Sequence, residues 1–255
     1  MLPIDAGLAA LSDRGRRAHR AGSINQDAAA AARLPSGGAF LAVADGVSMS
    51  NCAEAASAAA IAALCAVLTA DEIADPAAAM RRAIEAAQAA VVAVPVTRPH
   101  PRKDLPETTI AAALIGQGRA IIGWVGDSRA YLVNGSSGRL LTRDDSWLAD
   151  MVASGMMSRK AAQSDRRAHS ITQCLGIVDT EIIIHIEEVP VEMGAWLVLC
   201  TDGLWNYLED GDDLARALTA GPREVDALDR CRRLASLANE GGGHDNISVA
   251  LLKIA

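Results

Sequence analysis

Three apolar stretches of this chain stop abruptly at an aspartate that a small residue follows. They are residues 40–44 before Asp45, residues 121–126 before Asp127, and residues 196–201 before Asp202. Continuous apolar runs of this length indicate buried strands, and each strand would end in a carboxylate. Asp245 shows the reverse order, because a polar loop leads from it into an apolar strand predicted over 246–254. Since an unpaired carboxylate is costly to bury, each one needs a cation or a set of hydrogen bonds.

The pattern between these strands predicts helices in pairs. They are expected over 51–69, 75–94, 211–218 and 223–239. Asn51 and Glu54 have the spacing of a capping box at the start of the first helix. Asp75 followed by Pro76 suits the start of the second, with aspartate as the cap and proline at the first helical position.

Short strands separated by tight turns fill the middle of the chain. They are predicted over 108–116, 119–127 and 129–133, and two more over 180–186 and 195–201. Strands joined by short turns are antiparallel, so we expect the first three to form a meander. Groups of strands that alternate with pairs of helices indicate the α+β class, with antiparallel sheets covered by helices. We expect one domain over residues 1–255.

Residues 144–176 interrupt the strand pattern with a polar stretch. Two short helices are predicted within it, over 147–154 and 158–164. An excursion of this length between two groups of strands is usually functional or mobile. We therefore expect it to form an exposed flap.

The composition excludes several classes of function. The net charge of −7 and the pI of about 5.2 disfavour nucleic-acid binding, which needs clustered Lys and Arg. The five cysteines are odd in number and widely spaced, which argues against a disulfide framework or structural zinc and favours a reducing cytoplasm. The N-terminus has no secretory pattern, and no uncharged apolar run reaches the roughly 18 residues that would predict a membrane span.

Five aspartates therefore carry the candidate chemistry, each beside a small or amide residue. They are Asp27, Asp45, Asp127, Asp202 and Asp245. Small neighbours let a hydrated ion approach the backbone, and ligands that are all oxygen suit Mg²⁺ or Mn²⁺. Two such ions about 4 Å apart can activate water and bind a phosphoryl oxygen. The alternative is that each Asp-Gly pair only forms a turn.

Motifs in a fixed order over most of the chain carry a resemblance to a known family. They are NQDA at 25–28, VADGV at 43–47, TT at 108–109, VGDSRAYL at 125–132, LTRDDS at 141–146, ITQCLG at 171–176, LCTDGL at 199–204 and GHDNISV at 243–249. On these motifs the chain resembles the metal-dependent serine/threonine protein phosphatases of type 2C, in their bacterial branch. The resemblance implies a four-layer α-β-β-α sandwich, in which two antiparallel sheets are flanked by helix pairs.

The resemblance also implies roles for the aspartates. Asp45 would bridge two metal ions, with the carbonyl of Gly46 completing one site. Asp202 and Asp245 would hold the first ion and Asp27 the second.

A weaker third ion would be held by Asp127. Asn246 would orient the loop of Asp245, and His244 is a candidate hydrogen-bond donor to Asp245.

The resemblance implies a mechanism as well. A hydroxide that bridges the two metals would attack phosphorus in line, and no covalent phosphoenzyme would form.

The resemblance is incomplete at the positions that would bind the phosphate. Many members carry an arginine five residues before the position of Asp27, and this chain has Gly22 there. We take Arg20, with Arg17 close by, as the candidate phosphate-binding group, while a surface arginine is the alternative. Val47 replaces a histidine that eukaryotic members use, and bacterial members also lack that histidine.

The sequence thus predicts an Mn²⁺- or Mg²⁺-dependent hydrolase that removes phosphate from phosphoserine and phosphothreonine in proteins. Its expected substrates are phosphoproteins made by a bacterial Ser/Thr kinase, and we expect a cytoplasmic monomer that acts in signalling. Two alternatives stay open. One is a catalytically silent pseudophosphatase that binds phosphoproteins, and the other is a two-metal hydrolase of another phosphoester.

Overall fold

Two five-stranded antiparallel sheets form the centre of the protein. The computed structural model describes residues 6–16, 24–35, 37–70, 73–96, 105–222 and 225–255. The strands are β1 (Leu8–Asp13), β2 (Asp27–Arg33), β3 (Ala39–Asp45), β4 (Ile110–Gly116), β5 (Arg119–Val125), β6 (Arg129–Asn134), β7 (Ser137–Leu140), β8 (His185–Pro190), β9 (Trp196–Cys200) and β10 (Ile247–Lys253). One sheet has the order β1-β10-β9-β6-β7, and the other has the order β2-β3-β4-β5-β8.

Helices cover the outer face of each sheet. The helices whose bounds are described are α1 (Ala53–Leu68), α2 (Pro76–Val92), α3 (Trp147–Ala153), α4 (Arg159–Gln163), α5 (Asp202–Trp205), α6 (Gly211–Thr219) and α7 (Ala227–Glu240), and two pairs of them form the outer layers. The pair α1 and α2 packs on the sheet that contains β3, and α6 and α7 pack on the sheet that contains β9. A third apolar layer lies between the two sheets. The predicted four-layer sandwich is therefore confirmed. Among the described helices, none combines the length and the apolar character that crossing a bilayer requires.

Strand β3 shows why the sequence before Asp45 is a continuous apolar run. Phe40 and Ala42 pack against the helical layer, while Leu41 and Val43 pack between the sheets. Successive side chains of a strand point to opposite faces, and both faces of β3 are covered. The apolar character then ends with the strand, at the edge where Asp45 lies.

The predicted meander of three strands was wrong at its third strand. The β4–β5 hairpin is present, but β5 pairs next with β8, and β6 lies in the other sheet between β9 and β7. The chain crosses between the sheets at Gly126, whose φ is +106°. Asp145 accounts for the crossing, because its carboxylate accepts from the amide of Gly126 at 2.9 Å and its own amide donates to the carbonyl of Gly126 at 2.9 Å. The backbone of Gly126 is thus paired without a neighbouring strand.

Two further predictions of local structure have opposite outcomes. The capping box was wrong, because Cys52 is the N-cap of α1 in a left-handed conformation and makes no side-chain cap bond. Instead, the amide of Asn51 donates to the carbonyl of Leu105, so a tertiary contact fixes the start of this helix. The cap of α2 is confirmed, since Asp75 accepts from the amide of Ala78 at 3.0 Å.

The segment 144–176, which we call the flap segment, leaves the sandwich between β7 and β8 and carries α3 and α4. The hydroxyls of Ser146 and Ser158 cap these two helices. The two ends of the segment lie together, because Thr172 donates its amide to the carbonyl of Asp145 at 2.8 Å. The strand expected over 180–186 begins only at His185.

Candidate active site

Asp27 and Asp45 face each other across the β2–β3 ladder as register partners. Asp27 is buried at the start of β2, and its Oδ2 accepts a hydrogen bond from the hydroxyl of Thr201 at 2.8 Å. That hydroxyl also accepts from the amide of Ser248 at 2.9 Å. A single buried threonine therefore connects Asp27 to the sheet that contains β9 and β10.

The backbone around Asp45 is held by two threonines. The amide of Asp45 donates to the hydroxyl of Thr109 at 3.2 Å, and its carbonyl accepts from the hydroxyl of Thr108 at 2.8 Å. Gly46 follows in a space that excludes a side chain, because an added Cβ would lie 2.4 Å from the carbonyl oxygen of Ala53. The turn after β3 is therefore fixed on both sides.

Asp202 is the first residue of α5, and Thr201 separates it from the end of β9. Its Oδ2 accepts from the side-chain amide of Asn206 at 3.3 Å. Its Oδ1 is buried and receives no hydrogen bond from the described part of the chain. Asp202 thus leaves an oxygen lone pair that an added ligand could use.

Asn246 holds the loop of Asp245 in place. Its own amide donates to Oδ1 of Asp245 at 2.8 Å. Its side chain accepts from the amide of Gln26 at 2.8 Å and donates to the carbonyl of Arg14 at 2.8 Å. The loop before β10 is therefore joined to the residue before Asp27.

Asp127 lies in the turn that crosses between the sheets. Its carbonyl accepts from the indole N–H of Trp205 at 3.0 Å. The guanidinium of Arg129 stacks 3.7 Å above the ring of Trp205 and forms two hydrogen bonds to Asp144, at 2.9 and 2.7 Å. The hydrogen bond from Trp205 therefore fixes the backbone of Asp127, and the stacked guanidinium of Arg129 fixes the ring of Trp205.

The charges of the five aspartates act on one another. Burial, with the charges of Asp202 and Asp245 as smaller causes, raises the pKa of Asp27 to about 7. Burial is also the largest cause at Asp127, whose pKa rises to about 8, and at Asp202, whose pKa rises to about 6. The pKa of Asp45 rises well above its usual value, through burial and then through the charges of the other four. Buried carboxyl groups with like-charged neighbours are stabilised either by taking up protons or by binding cations.

The residues present fit divalent cations. All the side-chain donors are carboxylate oxygens, which Mg²⁺ and Mn²⁺ prefer, and the buried Oδ1 of Asp202 is unpaired among the described atoms. Within the described ranges, no group of three or more His, Cys, Asp or Glu side chains is already arranged as a set of metal ligands. The fit therefore rests on donor chemistry, shared charge and the unpaired oxygen.

The remaining predicted site residues have different placements. Arg17 and Arg20 lie outside the described residues, so their role as phosphate ligands stays a prediction. The ring of His244 stacks on Tyr207 with 6.3 Å between centroids, and its amide donates to the hydroxyl of Tyr207. No described hydrogen bond joins His244 to Asp245, so its supporting role also stays a prediction.

Sequence reasoning missed the parts played by Thr201, Trp205 and Asp145. Thr201 carried a usable signal, because it is a hydroxyl residue at the end of the apolar run before Asp202. Trp205 and Asp145 gave no such signal in the sequence. Each contacts a residue many positions away along the chain, and only the folded topology brings the partners together.

Comparisons with known proteins show which family and which solved structures the chain is similar to. The family model described as protein phosphatase 2C matches residues 14–238. The chain is 30% identical over 148 residues to the serine/threonine phosphatase stp of Listeria welshimeri, covering 57% of this chain and 56% of that protein. It is 32% identical over 147 residues to the protein phosphatase PhpP of Streptococcus pneumoniae, covering 58% of each. The matches thus span a little over half the length of these relatives.

Solved structures are similar over nearly the whole chain. The serine/threonine phosphatase of S. agalactiae has a TM-score of 0.82 at 27% identity, covering 97% of this chain and 99% of that one. The Mycobacterium tuberculosis phosphatase PstP/Ppp has a TM-score of 0.78 at 30% identity, covering 97% of each. A structure of the catalytic domain of PstP contains two manganese ions and has a TM-score of 0.75 at 29% identity, covering 97% of this chain and 98% of that one.

Proposed function

The chain belongs to the protein phosphatase 2C family, and from that premise we propose that it hydrolyses phosphoserine and phosphothreonine in proteins with Mn²⁺ or Mg²⁺ as cofactor. The observation that carries the proposal is the direct opposition of Asp27 and Asp45 across the β2–β3 ladder, with a buried carboxylate oxygen of Asp202 left unpaired among the described atoms. The catalytic domain of PstP, similar in fold at 29% identity, has been solved with two manganese ions, which supports this choice of metal.

We assign the metal ligands in accord with this arrangement. Asp45 would contact both ions, which is the role that the family resemblance implies, and the charges of the other four aspartates act on its carboxyl. Asp202 and Asp245 would complete the first site and Asp27 the second, with the carbonyl of Gly46 as a further ligand. Asp127 would hold a weaker third ion.

The protein's own residues orient these ligands. Thr201 fixes one oxygen of Asp27, so that its other oxygen is turned to a defined direction. Asn246 restrains Asp245, and the rigid turn at Gly46 prevents Asp45 from moving away from its partners. When bound, two divalent ions supply a water of lowered pKa and neutralise charge on the phosphoryl oxygens.

The proposed reaction also needs a group that binds the phosphate. We assign it to Arg20, with Arg17 as its neighbour, since guanidinium groups bind phosphate through paired N–H donors. An Arg20→Ala variant should then raise KM for a phosphopeptide by about 10-fold or more, as expected for a lost charged hydrogen bond. An unchanged KM would refute the assignment.

The biological setting is part of the same proposal. The relatives named above are bacterial and are named a serine/threonine phosphatase and a protein phosphatase, which supports phosphoprotein substrates here. We propose that the protein is a cytoplasmic monomer that reverses the action of a bacterial Ser/Thr kinase.

Hydrolysis of p-nitrophenyl phosphate and of a phosphothreonine peptide tests the function. We expect activity with Mn²⁺, none in excess chelator, and a loss of at least about 100-fold in Asp202→Ala, because the first metal would lose a ligand. Asp229→Ala is the matched control, since it removes an exposed carboxylate of α7. Full activity of Asp202→Ala would contradict the proposal, and so would metal-loaded wild type that binds the peptide without turnover.

A further inference from the structure

The imidazole of His185 is held in one orientation at the edge of the sheet that contains β3. His185 begins β8, and its partner across the ladder is Trp124 of β5. The two rings stack with 4.8 Å between their centroids and 16° between their planes. The indole N–H of Trp124 donates to the carbonyl of Arg143 at 2.9 Å. The stacked pair therefore lies against the chain segment that carries Asp145.

Asp145 links three parts of the protein. Its Oδ2 accepts from the amide of Gly126 at 2.9 Å, and its Oδ1 lies 2.9 Å from Nε2 of His185. Its backbone amide and carbonyl are bonded to the carbonyl of Gly126 and to the amide of Thr172. Because an ionised carboxylate only accepts hydrogen bonds, Nε2 of His185 is the donor of this pair. A single residue thus joins β8, the crossing turn and the flap segment.

The proton that His185 donates affects how well Asp145 holds Gly126. The carboxyl of Asp145 is buried, and burial raises its pKa, an effect that the amide of Gly126 and the imidazole of His185 partly offset. The imidazole therefore favours the ionised carboxylate, which is a stronger acceptor than the neutral acid. Without the imidazole, one buried oxygen of Asp145 would lose its partner, and the carboxyl would be free to turn away from Gly126.

The turn at Gly126 supports two of the five aspartates. Gly126 has a φ of +106°, and its described backbone hydrogen bonds are those with Asp145. It packs tightly on Thr109, since an added Cβ would lie 2.7 Å from the Cβ of Thr109. The hydroxyl of Thr109 in turn accepts from the amide of Asp45. A shift of Gly126 would therefore move Asp127, the next residue, and would disturb Asp45 through Thr109.

We propose that His185 is a positioning residue of the hydrolytic site, which holds the carboxylate of Asp145 against Gly126 and thereby orients Asp127. The described side-chain partners of His185 are Asp145 and Trp124, so it acts through Asp145 and not by touching substrate. This inference rests on the proposed function, because the ion that Asp127 would hold belongs to that proposal.

Two substitutions of His185 separate its hydrogen bond from its packing. His185→Phe keeps a ring stacked on Trp124 and removes the donor, whereas His185→Gln replaces the imidazole N–H by an amide N–H. Amide hydrogen exchange in chelator, followed by NMR, measures how firmly Gly126 is held. We expect exchange of the Gly126 amide to be about 10-fold faster in His185→Phe and within about twofold of wild type in His185→Gln. The amide of Ala113 in β4 is the internal control and should be unchanged.

Metal dependence of the activity tests the functional part. With p-nitrophenyl phosphate, we expect His185→Phe to raise the Mn²⁺ concentration for half-maximal activity about 3- to 10-fold, and His185→Gln to restore it. KM for a phosphothreonine peptide should be unchanged. In an Asp127→Ala background, His185→Phe should have no further effect, because the group through which it acts is absent.

Several results would overturn the inference. They are unchanged exchange at Gly126 in His185→Phe, equal acceleration at Gly126 and Ala113, an unchanged Mn²⁺ dependence, and an effect that adds fully to that of Asp127→Ala. The second would show that His185 only stabilises the whole fold. If wild type hydrolyses neither substrate, the proposed function fails, and exchange at Gly126 alone then decides whether His185 positions the turn.

Discussion

Asp27 and Asp45 are directly opposed on the neighbouring antiparallel strands β2 and β3. Like charges opposed across a ladder destabilise a sheet. Here the pair is also largely removed from water, and the pKa values of both carboxyls are raised as a result. The fold therefore tolerates a local arrangement that its stability does not favour, as expected where the arrangement serves a function.

Replacing Asp27 by asparagine should change the pH dependence of stability. The pKa of Asp27 rises from 3.8 to about 7 on folding, so its stabilising contribution is present below about pH 4 and is lost as the pH rises towards 7. Asparagine has the same shape as aspartate but does not titrate. In chelator, we therefore expect Asp27→Asn to gain stability over wild type between about pH 4 and 7, by at most about 1.4 kcal/mol per pH unit.

Urea denaturation of both proteins at a series of pH values measures this difference. The stability gap should also shrink when Mn²⁺ is added, because the ion neutralises the carboxylate of wild type. A gap that is independent of pH would show that Asp27 does not titrate in this range.

Replacing Thr201 by valine should destabilise the protein. Valine has the same shape but removes the donor to Asp27 and the acceptor for the buried amide of Ser248. Leaving a buried polar group unpaired costs about 1–3 kcal/mol. Thr201→Ser keeps the hydroxyl and serves as the control. Equal destabilisation of the two variants, measured by urea denaturation, would show that the hydroxyl is not the cause.

Replacing Trp205 by phenylalanine should weaken the proposed third metal site. The substitution removes the indole N–H that holds the carbonyl of Asp127 and keeps an aromatic ring beneath Arg129. We expect the Mn²⁺ concentration for half-maximal activity to rise about 3- to 10-fold, the cost of one hydrogen bond. Trp147→Phe is the matched control, since Trp147 lies in α3 of the flap segment. An equal shift in both variants would contradict the role of Trp205.

Much of this site follows from the sequence pattern, because an apolar run that stops at Asp and a small residue is typical of a buried strand that ends at a polar site. That pattern located Asp45 at the end of β3, where the structure has it, and Asp202 just past a strand, although Thr201 separates it from β9 and it begins α5. It could not show that the strands after Gly126 change sheets, because a short turn can join strands of one sheet or of two. The crossing depends on Asp145, whose side chain pairs with an amide 19 residues away.

Contacts of this long-range kind also account for the other failures. The start of α1 is set by Asn51 bonding to Leu105, which overrides the local preference for a capping box. The sequence pattern thus predicted features that depend on neighbouring residues, but it did not predict contacts between residues far apart in the chain.

The central claim is that Asp45 is shared by two metal ions in a hydrolytic site. Calorimetric titration of Mn²⁺ into wild type and Asp45→Asn, with hydrolysis of a phosphothreonine peptide on the same samples, tests it most directly. We predict that wild type binds at least two ions, and that the variant loses both the tight binding and the activity. A variant that binds Mn²⁺ with unchanged stoichiometry and affinity and still hydrolyses the peptide would contradict the claim.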